Sequence, residues 1–176
     1  MSNLRLLNQT VMPASVSSLT VNNMFSADYD VYKIIVTGMQ TTGSTATDVD
    51  GRLVDSSGKI DSQSKYDYSF MRLLPNTNYQ TDGRAVNNSA ALDLVYTNKD
   101  GNSSANTTIY VFDPFASDRY TFFVKEAVVS EDDAHRGQKY IACHKVLGSY
   151  TGLNFFESNT RPFEGAKILT YGIRVD

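Results

Sequence analysis

Apolar residues recur along this chain with the two-residue period of β-strands, in short runs broken by Gly, Asn, Asp and Ser. Val31-Tyr32-Lys33-Ile34-Ile35-Val36-Thr37 is the strongest run, ended by Gly38. It is rich in the branched and aromatic residues that suit a pleated, half-buried surface. Tyr66, Tyr68 and Phe70 alternate with Asp67, Ser69 and Met71, and Tyr140, Ala142, His144 and Val146 with Ile141, Cys143 and Lys145. One set in each run should face a core or a partner. Similar runs begin at Val16, Val49, Leu92, Ile109, Tyr120, Leu153 and Lys167. No helical period is sustained.

Between the runs lie turn residues. Ser56-Ser57-Gly58 predicts a turn, Asp113-Pro114-Phe115 a corner and Asn98-Lys99-Asp100-Gly101-Asn102 a hairpin turn. The Thr, Gly and Ser stretch at 41–47 and the Asn-rich stretch at 75–90 read as loops. The acidic bend at 130–135 has room for one helical turn. Roughly nine or ten short strands predict an all-β protein, an antiparallel two-sheet sandwich with a jelly-roll-like path, because so many strands usually fold onto themselves. Ile34, Val36, Leu94, Ile109, Val111, Phe122, Val124, Ile168 and Tyr171 are its expected core. Residues 14–176 form this domain. Residues 1–13, with no clear periodicity, are expected as a short extended N-terminal arm whose Leu4, Leu6, Leu7 and Val11 bury against a neighbouring subunit or the surface it docks on.

Composition narrows the function. A net charge of -3 with sixteen scattered Lys and Arg lacks the dense cationic footprint that nucleic-acid binding needs, so no nucleic acid is expected as a partner. The broken apolar run at the N-terminus is too short for a signal-peptide core or a membrane span, so no membrane is expected either. Cys143, the single cysteine, has no internal disulfide partner. It adjoins His144, yet neighbouring strand residues point to opposite faces and cannot act as a nucleophile and base. Asp48-Val49-Asp50-Gly51 resembles the opening of a calcium loop, but Lys59 stands where the closing acid belongs, so a turn is the simpler reading. Glu131, Asp132, Asp133 and His135 read as a solvated bend. No catalytic residue, cofactor or metal is expected, and the chain reads as a non-enzyme.

The segment Phe25-Ser26-Ala27-Asp28-Tyr29-Asp30-Val31-Tyr32-Lys33-Ile34-Ile35-Val36 resembles a phrase of small virion proteins of tailed bacteriophages, and Gly165-Ala166-Lys167-Ile168-Leu169-Thr170-Tyr171-Gly172-Ile173-Arg174 is similar to the closing strand of the same group. The resemblance spans most of residues 15–175 with loose motifs. It implies a virion structural protein assembled in the host cytoplasm, commonly a homotrimer, that contacts the major capsid protein or another virion protein. The chain lacks a long shaft with heptads or repeats, which favours a capsid decoration or cement protein. The alternative is a tail- or head-fibre tip that presents Tyr66, Tyr68, Tyr79 and the 75–90 stretch to a host glycan, since aromatic faces stack on sugars.

Overall fold

The branched and aromatic runs become strands wherever their backbone groups find a neighbour. The computed structural model describes residues 3–43, 47–74, 80–97, 104–131 and 134–174. In chain order the strands are β1 (Leu4–Met12), β2 (Ser18–Val21), β3 (Val31–Thr41), β4 (Thr47–Asp55), β5 (Tyr66–Leu74) and β6 (Gln80–Ser89), then β7 (Leu92–Thr97), β8 (Ala105–Phe112), β9 (Thr121–Glu131), β10 (Ala134–His144), β11 (Tyr150–Glu157) and β12 (Phe163–Ile173). The described residues contain no helix.

All strand pairs are antiparallel, in two sheets ordered β1-β12-β3-β8-β9-β10-β5-β6 and β2-β11-β4-β7. The chain passes between the sheets from β1 to β2, β2 to β3, β3 to β4, β4 to β5, β6 to β7, β7 to β8, β10 to β11 and β11 to β12. With the β8-β9-β10 meander counted as one strand and β1 and β12 set aside, this is the four-over-four path of a jelly roll. The larger sheet therefore overhangs the smaller. Its inner face packs Tyr32, Ile34, Val36, Ile109, Val111, Phe123 and Ile168 against Val49, Leu53, Leu92, Leu94, Leu153 and Phe155, all buried.

Several expectations change. The N-terminal segment is extended as expected, but it is edge strand β1, hydrogen-bonded along β12. Gly38 does not end β3: at φ +68° it carries the strand through a register shift between Val36 and Met39. Asp48-Val49-Asp50-Gly51 lies inside β4, where Gly51 makes room for Leu94: a Cβ there would lie 2.0 Å from Leu94 Cδ1. Much of the expected 75–90 loop is β6, with 75–79 outside the described residues. The expected hairpin at 98–102 also falls outside them, and its flanking strands β7 and β8 belong to different sheets. Of the expected acidic bend, 130–131 and 134–135 are paired strand, Ala134 opposite Glu131, and 132–133 lie outside the described residues.

Candidate functional site

Strands β9 and β10 position the surface of interest. Their register sets Phe122 opposite Cys143, Val124 opposite Ile141 and Glu126 opposite Lys139, and alternation turns all six away from the small sheet. Phe123 and Lys125, the intervening residues, point inward and are buried. Phe122 and Val124, expected in the core, are thus on the outer face, with 49% of Phe122 exposed, and Tyr171 is half-buried there too. Ile141 is 62% exposed.

The same parity extends these rows across the sheet. One runs Leu4, Ile173, Val31, Phe112, Phe122, Cys143 and Asp67; the next runs Leu6, Tyr171, Lys33, Tyr110, Val124, Ile141, Ser69 and Ala85. Lys33, the one charge those two rows hold on the first six strands, has its Nζ 5.8 Å from the Tyr110 ring centre. On β5 and β6 the side chains shorten to Ser69 and Ala85, and a shallow trough of about 550 Å³ opens between them and the β9-β10 ridge. Its rim is polar: Lys145 Nζ lies 2.7 Å from Asp67 Oδ2, and the Asn88 amide donates to Asp67 Oδ1. The Asn88 amide and then Lys145 hold the Asp67 carboxyl below its ordinary value, whereas burial, with Asp67 nearby, pushes the Cys143 thiol up. A raised thiol pKa suits a surface contact better than a nucleophile.

The inner face carries charge as well. Lys125 is fully buried; its Nζ donates to the Asp93 carbonyl at 2.8 Å, lies 3.3 Å from Asp93 Oδ1 and sits 4.4 Å from the Tyr140 ring centre. Burial lowers the Lys125 pKa against the pull of Asp93. Asp50 is paired across from Asp93, and burial, reinforced by Asp93 and Asp48, raises its carboxyl to about 7. Two neighbouring carboxyl groups, one of them raised, resemble an acid and base pair. Asp93, however, is buried with its carboxyl engaged by Lys125, a contact between the sheets.

Nearby, His144 is sealed between the rings of Tyr66 and Tyr150, at 4.2 and 5.3 Å between centres. Its Nε2 lies 3.4 Å from Asp61 Oδ2, yet neither ring nitrogen makes a sound hydrogen bond. Tyr150 donates to the same Oδ2 at 2.9 Å, and Tyr66 to the Asp61 carbonyl. Burial lowers the His144 pKa, with Asp61 opposing. Cys143 and His144 point to opposite faces, as their adjacency predicts. Among the described residues no group of three His, Cys, Asp or Glu is arranged to hold a metal ion.

The residues singled out in the sequence are not gathered at one place. Leu4, Leu6 and Val11 are exposed on β1, while Leu7 tucks against the core. Tyr66 is fully buried and so is no outer contact; Tyr68 is half-buried against the core, stacked on Tyr140 at 5.4 Å; Tyr79 falls outside the described residues. Both tyrosines start a strand whose inward parity alternation alone does not reveal. The outer belt was missed for the same reason, although Phe122-Phe123 and Ile141-Ala142, apolar on both parities, are its sequence signal.

No protein-family model matches the chain, and no curated protein matches it. Among solved structures it is similar to the CBM2 module of the evolved Dit of Lactobacillus casei BL23 phage J-1, at 11% identity and a TM-score of 0.26, over 90% of this chain and 69% of that one. So slight a likeness carries no argument about function.

Proposed function

We propose that this chain is a non-enzymatic structural component of a tailed-phage virion, a decoration protein on the outer surface of the head. Its support is the sequence resemblance together with one feature of the fold. Among the described residues, edge strand β1 has a strand neighbour on one side only, and it exposes Leu4, Leu6 and Val11 beside that edge. Natural sheets normally guard so long an edge with charge, proline or a covering loop. Here nine residues carry one charge, Arg5, and no proline. Such a strand is suited to addition onto a shell protein, with backbone hydrogen bonds supplying affinity and the leucines supplying fit. The fibre-tip alternative loses Tyr66, which is fully buried.

Imaging gold-labelled antibody on purified virions tests the reading. Label distributed over the heads is expected, and Leu6→Lys with Val11→Lys should strip the protein from particles while leaving it folded. Label confined to tail tips, or no label on particles, contradicts it.

A further inference from the structure

We propose that the outer face of the eight-stranded sheet pairs two copies of this chain, face to face, about a two-fold axis that runs along the strands between β9 and β10. The pairing rests on the decoration reading only in naming the partner of this surface as a second copy; β12 and β1 are left free for the shell. It replaces the three-fold assembly implied by the resemblance.

The sheet order determines what such an axis brings together. β9 lies over the second copy's β10, β8 over its β5 and β3 over its β6, so six of the eight strands are covered. Phe122 and Val124 then meet the second copy's Cys143 and Ile141, and three exposed apolar side chains, Phe122, Val124 and Ile141, fill the centre. Tyr110 and Phe112 on β8 descend onto Ser69 and Asp67 of β5, where the trough begins. A bulky ridge thus faces a small-residue floor, twice, by symmetry.

The charges agree with the same axis. Glu126 and Lys139 are paired within one chain at 3.1 Å and both are mostly exposed. The two-fold sets each opposite its counterpart of the other sign, and no like charges meet in that row. The area is sufficient as well. With strands about 4.8 Å apart and rising about 3.4 Å per residue, six strands and four rows present roughly 700 Å² per copy, near the ~800 Å² of a stable interface.

Sedimentation of the full chain, with particle binding measured in parallel, tests the pairing. Wild type should sediment at twice the 19.5 kDa chain mass. Ile141→Asp, at an exposed position, should sediment as a monomer with an unchanged far-ultraviolet spectrum. Glu126→Lys should weaken pairing about tenfold at low salt by facing lysine with lysine, and adding Lys139→Glu should restore it. A monomeric wild type, a trimer, or a dimer indifferent to Ile141→Asp would overturn the proposal. So would a monomer that needs Ile141 only to bind heads, since the covering partner would then be the shell. Head binding by a monomeric wild type sinks the pairing and spares the decoration reading.

Discussion

Adjacent residues of β9 invert the usual rule of inside and outside. Lys125 is buried against the small sheet, while Phe122 and Val124 face outward. An antiparallel sheet with one wet face normally alternates apolar inward and polar outward. Under the proposed pairing, the contrast teaches that each face of the large sheet is an interface, one with the small sheet and one with a second copy. The inner face tolerates a lysine because Asp93 and the Tyr140 ring replace its water. The outer face exposes phenylalanine in the single chain, and the proposed pairing would cover it.

Substitutions of the two faces should therefore differ most at Lys125. Lys125→Ala leaves Asp93 buried beside no cation, and a loss of about 3–5 kcal/mol in denaturant unfolding is expected; a loss within the surface range would break the contrast. Asp50 is next. Its folded pKa is raised, so its contribution is present below the unfolded carboxylate value and lost as pH rises through about 7. Asp50→Asn should thus stabilise the protein by about 1–2 kcal/mol at pH 8, with the gain vanishing toward pH 4. Thermal melts across that range read it directly.

His144 has the opposite sign. Its folded pKa is lowered, so stability is full above about 6.5 and lost as pH falls through the folded value. Relative to wild type, His144→Phe should lose about 1 kcal/mol less between pH 6.5 and 5. Parallel acid titrations of the pair would refute the assignment. The smallest effect belongs to the outer face: in the monomeric Ile141→Asp background, Val124→Ser should change folding stability by under about 0.5 kcal/mol. A larger cost would mean that this face stabilises the single chain.

The period of the strands was legible in the sequence, and with it the sandwich, the turn at Ser56-Ser57-Gly58 and the buried Ile34, Val36, Leu94, Ile109, Val111 and Ile168. Parity was not. Where both sets of an alternation are apolar, as at Phe122 and Phe123, period two says that the sets separate but not which one turns inward. Polarity misled at Lys125, because its partner Asp93 is 32 residues away in the other sheet. Asp50-Gly51 read as a turn because the demand for a missing Cβ came from Leu94, a contact absent from local sequence. The edge strand escaped notice because its order comes from β12, at the other end of the chain.

Cys143 offers the most direct test that the outer face is covered. It lies half-buried in the trough, at the position the two-fold sets against the second copy's Phe122. Its rate of reaction with a thiol-specific reagent, measured as protein concentration rises, reports cover at that one point. The rate should fall severalfold as wild type pairs and should stay fast and constant in Ile141→Asp. A wild-type rate independent of concentration, equal to that of the variant, would contradict the account.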